Sequence, residues 1–315
     1  MAAEPPEGAV AADELSGELA GLDHLDVSVS GAPGRLRRLW AALWPKAAAL
    51  AVGLAVWQVV VWTHWKPSYL LPGPATVLNA LWHNLLGGSA VDGHLLKATG
   101  VTMRRAVVGY SLSLVIGTVL GVLVASSRLL RSAIGSLITG FQTMPSVAWL
   151  PLAVVLFQTS ERAILFVLLI GAIPSIANGV ISGIDNIPPL LLRAGRVLGA
   201  RGYAHYRHVV LPAALPGFVA GMKQAWAFAW RSLLAGELIV QIAHQPSLGQ
   251  TLNNATSNND YTGLMAGMVL LLLVGLLLDS LVFGRLERHV LRRRGLAPAA
   301  EITSPGRRLG RQPAL

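Results

Sequence analysis

Six runs of about 20 mainly apolar residues constrain this chain more than any other feature, because each is long enough to cross the hydrocarbon core of a bilayer. Lipid offers no hydrogen bonds to a bare backbone, so such runs must fold as helices or close into a barrel. They lie at about 47–65, 106–125, 136–157, 163–184, 214–242 and 264–283. Six mostly apolar runs of this length predict an all-α membrane protein with six transmembrane helices. Trp40 and Trp44 precede the first run, and Trp62 and Trp65 fall in its last turn, where interfacial aromatic belts are expected. The third run holds Pro145 and Pro151, which predicts a kinked or partly unwound helix. The fourth contains Pro174.

Composition agrees. Of 315 residues, 53% are hydrophobic and 13% charged, where a soluble domain carries about 25% charge. There is no cysteine, hence no thiolate metal site and no cysteine nucleophile. A net charge of +10 would raise nucleic-acid binding in a soluble chain, but the placement of the basic residues gives a better account. With the N-terminus inside, eighteen Lys and Arg face the cytoplasm and five face outward (Lys66, Lys97, Arg104, Arg105 and Arg162). The positive-inside rule then puts both termini, and the segment 185–213, in the cytoplasm. The membrane is the expected partner and nucleic acid is not. Residues 1–34 hold seven acids and no Lys or Arg, a composition expected of a disordered acidic tail. Residues 35–294 are read as the membrane domain and 295–315 as a basic tail.

Glycine pairs four apart (Gly117/Gly121, Gly217/Gly221 and Gly263/Gly267) predict close helix contacts. No internal repeat is evident, which weighs against an inverted-repeat secondary transporter.

The segment 185–213 is basic and lies between two apolar runs. Asp185, Asn186, Pro188 and Pro189 predict the end of one helix and the start of a short new one. Leu190, Leu191, Leu192, Ala194, Val197 and Leu198 give that helix an apolar stripe, with Arg193, Arg196 and Arg201 largely outside it. Gly199 allows a sharp turn or a close approach. Tyr203, Tyr206, Val209 and Val210 predict a second amphipathic helix closed by Pro212. A surface helix lying among lipid headgroups would show the same pattern, so periodicity alone leaves the role open.

Arg193-Ala194-Gly195, Gly199, Val209, Leu211 and Pro212 stand at the offsets of the cytoplasmic coupling motif of ABC-importer permeases: E-A-A, three residues, G, nine residues, I-x-L-P. The chain therefore resembles that family, in which such a helix docks on a separate ATPase. Arg193, Gly195 and Val209 depart from the family's Glu, Ala and Ile, and Arg193 reverses the charge. A wider likeness covers about 68–294. Leu71-Pro72-Gly73-Pro74, the stretch Met144 to Pro151 and Ser247-Leu248-Gly249-Gln250 look like the permeases for nitrate, sulfonate, taurine and related small anions. The resemblance implies a type I importer fold, a homodimeric pore, two ATPase subunits and an external substrate-binding protein. It also implies import of a small anion, with aliphatic sulfonate preferred and taurine or nitrate as alternatives.

Lys223 and Arg231 lie inside the fifth run, where a charge faces protein or water. They are candidates for an anion path, as are Gln142, Ser146 and Trp149 near the third run's prolines; pairing with a carboxylate is the competing account of the two cations. Glu237, six residues from Arg231, falls on another helix face and is a poor partner for it. His205 and His208 have possible metal spacing but no carboxylate or thiol nearby, so no metal is expected. No G-x-x-x-x-G-K-[ST] loop occurs, so ATP hydrolysis is expected elsewhere. No enzyme and no cofactor is indicated. An ion-coupled secondary transporter would need buried carboxylates, and the runs offer only Glu237 and Asp279 near their ends. A membrane scaffold that transports nothing accounts poorly for kinked spans and buried cations.

Overall fold

A computed structural model describes residues 35–86, 94–243 and 245–293. The acidic segment 1–34 and the basic segment 295–315 lie outside them. Among the described residues every regular element is a helix. The chain divides into two compact units, Met1–Trp65 and Lys66–Leu315.

The first unit contains α1 (Arg35–Trp62). The helix starts before the expected run at 47, and Trp40 and Trp44 lie within it. Hydropathy marks the part suited to hydrocarbon, here Trp44–Trp62, whereas backbone bonding continues into the basic residues before it. Trp65 lies past the helix end, because His64 turns into positive φ (50°).

The second unit contains α2 (Pro74–Leu86), α3 (His94–Ser126), α4 (Arg128–Thr143), a 3₁₀ turn (Ser146–Trp149), α5 (Leu150–Phe157), α6 (Glu161–Asp185), α7 (Pro189–Val197) and α8 (Gly202–His205). There follow α9 (Leu211–Ile239), α10 (Leu248–Ser257), α11 (Tyr261–Leu278) and α12 (Gly284–Arg293), with π-helical turns at Tyr206–Val210 and Asp279–Phe283. Hydropathy did not indicate α2 or α10, which are too short to cross a bilayer.

Four stretches among the described residues are long and apolar enough to span: Trp44–Trp62, Leu95–Ser126, Glu161–Asp185 and Tyr261–Arg292. A fifth is the pair Arg128–Thr143 and Ser146–Phe157, if its two arms, bent by 101°, count as one span. The sixth expected span is α9, 29 residues long but absent from that set. Lys223, Gln224, Arg231 and Glu237 lower its hydropathy. In the bent pair only Pro145 interrupts. Met144 before it is extended (φ −81°, ψ 129°), as a residue preceding proline prefers. Pro151 sits in the first turn of α5, where a missing N–H costs nothing.

α6 is the central helix, packed between α3 and α9. Ile164, Val167, Leu168 and Ile176 of α6 and Leu233 of α9 are fully buried. Gly179 and Gly183 of α6 meet Gly221 and Gly217 of α9 backbone to backbone. A Cβ on Gly179 would fall 2.5 Å from the Gly221 Cα, and one on Gly217 2.5 Å from the Gly183 Cα. Gly117 and Gly121 of α3 similarly admit Ile176 and Val180 of α6. Gly267 makes room for Leu252, but Gly263 faces the Asp260 side chain that caps its own helix, so that pair is not one packing motif. Outward-facing Val115, Val119 and Leu123 on α3 and Leu272 and Leu276 on α11 are exposed, as lipid-facing side chains are.

Candidate functional site

The segment 185–213 begins as its sequence implies. α6 ends at Asp185, Asn186 caps it, and Pro188 and Pro189 open α7. The buried face of α7 is set by Gly195, where a Cβ would lie 2.7 Å from Val209 Cγ2. Leu192 packs on a small cluster of Ile187, Val210 and Ala214. Beside that contact a cavity of about 670 Å³ is lined by Asn186, Leu191, Ala194, Val209 and Pro212, among others.

The apolar stripe of α7 points outward: Val197 is 87% and Leu198 86% exposed. Arg193 and Arg196 are exposed on the same helix. Among the described residues neither of these arginines, nor Arg201 or Arg207, forms an ion pair. The helix ends in a turn with Gly199 at φ +85°. An added Cβ there would meet nothing within 4 Å, so the backbone conformation, and not a close approach, requires the glycine.

Pro212 does not close a helix, as the sequence suggested. The chain runs helically from Gly202 to Ile239. Leu211 N–H reaches back to the Tyr206 carbonyl in a π-turn, and this wider turn just before the proline absorbs its ring and its missing donor. The second half of the segment 185–213, from Gly202, and the long helix α9 are therefore one continuous rod, while α7 is set off from it by the turn at Gly199.

A second group of polar residues gathers at the break of the bent pair. Gln142, Ser146 and Arg231 line a cavity of about 310 Å³ with Gly171, Met144 and Phe228. Ser232 Oγ donates to Ser146 Oγ at 2.6 Å. Gln142 Nε2 donates to Ser175 Oγ at 3.1 Å, and Asn178 Nδ2 donates to Gln142 Oε1 at 3.4 Å. Trp149 is outside this lining and packs on Phe141 with ring centres 5.4 Å apart. Lys223 is also elsewhere: its Nζ lies 3.2 Å from Glu287 and 4.0 Å from Asp279. For Lys223 the carboxylate-pairing account holds.

Hydropathy and spacing gave no sign of a third constellation. Arg105 on α3, 2% exposed, pairs with Glu237 on α9, 0% exposed, at 2.9 Å. Thr102 donates to the other Glu237 oxygen at 2.8 Å. The Gly249 N–H reaches the same oxygen at 3.3 Å, and the Leu248 N–H donates to Thr102 at 2.9 Å. The segment Ser247-Leu248-Gly249-Gln250 is thus pinned to the ion pair by its backbone. A Cβ on Gly249 would fall 2.5 Å from the Glu237 Cβ, which excludes any side chain there. Glu161 adds a second carboxylate, 2.8 Å from Arg104 and 3.4 Å from Arg105.

The family model described as "binding-protein-dependent transport system inner membrane component" matches residues 117–294, which take in the break, the coupling segment and α9. The chain belongs to this family. It is 29% identical to a putative ABC transporter permease of Methanocaldococcus jannaschii over 74% of this chain and 88% of that one. With the nitrate import permease of Synechocystis it shares 27% identity over 75% and 85% of the two chains. With the bicarbonate transport permease of Synechococcus elongatus it shares 28%, over 76% and 86%. Among solved structures, an inward-facing methionine ABC transporter superposes with a TM-score of 0.54 at 25% identity, covering 62% of this chain and 95% of that one. The chain is thus a multi-pass permease subunit of an ABC importer in the cell membrane, with a type I fold. Family membership implies a separate ATPase, which hydrolyses ATP, and a substrate-binding protein.

Proposed function

We propose that this permease imports a small oxyanion and takes its drive from an ATPase docked on the segment 185–213. The observation that carries the docking is the outward apolar stripe of α7, anchored from behind by Gly195 against Val209. A short helix exposed in this way, and packed through Gly195 on Val209 of the rod that continues into α9, suits a partner's groove and can pass on rigid-body motion. The permease works as a homodimer with two ATPase copies. It has six spans, counting α9 and the bent pair, and both termini are cytoplasmic, with an acidic tail at 1–34 and a basic tail at 295–315.

An oxyanion is supported by Arg231, a cation facing a cavity at the break, and by the nitrate and bicarbonate in relatives' names. Aliphatic sulfonate, suggested by the likeness of 144–294, belongs to the same chemical class and remains the first substrate to try, with taurine, nitrate and bicarbonate beside it. A proton-relay transporter is less well supported. Glu237, the buried carboxylate among the described residues, is held by Arg105 and Thr102. The test is uptake of the labelled anions by the complete transporter reconstituted with its ATPase and binding protein. One or more of these anions should accumulate in an ATP-dependent way. Uptake of a neutral or cationic solute alone would overturn the substrate class and leave family membership intact.

A further inference from the structure

The cavity at the break holds more chemistry than a passive passage between apolar helices requires. We propose that it is an oxyanion-binding site of the permease itself. In it the Arg231 guanidinium and the Ser146 hydroxyl hold a monovalent anion with three oxygens on one central atom, such as nitrate, bicarbonate or a sulfonate headgroup. The inference rests on the importer reading above and adds a site inside the membrane subunit.

Arg231 is anchored for this task. Its Nε donates to the Ala227 carbonyl at 2.9 Å, and its guanidinium carbon lies 4.8 Å from the centre of the Phe228 ring. One edge and one face are thus held by its own helix, which leaves the four N–H groups of Nη1 and Nη2 as a fork. A fork already held in place loses little freedom when it takes up an oxyanion. No carboxylate among the described residues lies beside Arg231, a trait it shares with the arginines of the segment 185–213; its place on the wall of the cavity is what distinguishes it. Among the described residues Arg104, Arg105, Arg131 and Lys223 each meet Asp or Glu within 4.0 Å or less, and Arg231 does not. A cation on a membrane helix without a protein counter-charge needs water or an anion.

The rest of the cavity is complementary. Ser146 and Ser232 share one hydroxyl hydrogen between them, so the pair retains one to donate. Ser232 is fully buried, so Ser146 is the member that faces the cavity. Gly171 keeps the space open: a Cβ there would collide with Ser232 Oγ and lie 3.4 Å from Ser146 Cβ. Both ends of the Gln142 amide are engaged, so it shapes the wall. The lining contains no acid, and Phe141, Met144 and Phe228 supply apolar wall. Arg231 is itself exposed, so the cavity is open to solvent and its single positive charge is offered to an entering anion.

The test is calorimetric titration of nitrate, bicarbonate and methanesulfonate into the full-length permease in phosphatidylcholine nanodiscs. Saturable binding of at least one of them is expected. Arg231→Gln should weaken it about ten- to a hundred-fold, as loss of hydrogen bonds to a charged group does. Arg231→Lys should keep part of the affinity and Ser146→Ala most of it. ATPase co-purification serves as the folding control for each variant. Wild-type protein that binds none of the three anions, or unchanged binding in Arg231→Gln, would overturn the site. So would loss of binding in phosphatidylglycerol nanodiscs, which would assign the fork to lipid phosphate. Uptake separates the two readings: anion uptake without binding by the permease removes this site alone, whereas no anion uptake by the wild-type transporter removes the importer reading.

Discussion

Gly199 and Gly195 stand four residues apart in the same motif, and the structure gives them different duties. Gly199 is needed for its φ of +85°, with open space around it. Gly195 is needed for space, because Val209 fills the position a Cβ would take. The departures at 195 and 209 from the family's Ala and Ile are therefore matched: both members of the contact are smaller. Gly199→Leu should strain the turn by about 1–2 kcal/mol, the cost of a left-handed residue with a Cβ. Because the strain is local, the protein should still insert and accumulate, while ATPase pull-down from membranes and anion uptake should both fall. Normal pull-down and normal uptake would remove the docking role of the loop. Nothing in the structure explains why Arg193 replaces the family's Glu.

Among the elements, α9 carries the most. It continues the helical run that begins at Gly202 without a break, meets α6 glycine to glycine, bears Arg231 about 30 Å along from Leu211 at the helical rise, and ends at the Arg105–Glu237 pair. Motion imposed on α7 and α8 thus has a rigid route to the cavity at the break. The ion pair ties the C-terminal end of that rod to α3 and to the first turn of α10. Glu237→Ala would leave Arg105 buried facing only Gln245 at 3.0 Å and Glu161 at 3.4 Å. Breaking such a pair costs about 3–5 kcal/mol, while replacing both partners with apolar groups is often neutral. Thermal unfolding of the solubilised permease should therefore show a marked drop for Glu237→Ala and recovery of most of it in the double variant Arg105→Met with Glu237→Leu. If the double variant were as unstable as the single one, the loss would lie in the pinned backbone of Leu248 and Gly249 and not in the stranded charge.

At the scale of the whole molecule the test is topology. Reporter fusions after Lys66 and after Gly249 should read as external, and a fusion after Gly199 as cytoplasmic. An external reading after Gly199 would place the coupling segment out of an ATPase's reach. Both the interior and the lipid side are apolar: Ile164, Val167, Leu168 and Leu233 are buried between helices, while Val and Leu cover the outward side of α3 and α11. Without a hydrophobic drive between helices in lipid, backbone contact such as Gly179 on Gly221 is what close packing consists of.

The sequence by itself determined the all-helical class, most of the membrane runs, the short helix opened by Pro188 and Pro189, and the turn at Gly199. Each of these depends on a neighbour-to-neighbour property: hydropathy over one helix length, proline geometry, or φ at a single residue. Tertiary structure alone decided the rest. Arg105 and Glu237 are separated by 132 positions, and each looks like a charge near a span end until the fold brings α3 against α9. Lys223 and Arg231 look alike on one helix, yet the chain folds acids from Asp279 and Glu287 back onto the first and none onto the second. Pro212 carries a helix-ending signal that a π-turn absorbs. Pro145 and Pro151 carry equal signals of interruption, and only Pro145 falls where the bent pair breaks. Charge partners and helix continuity are properties of the packed chain, so no window of sequence contains them.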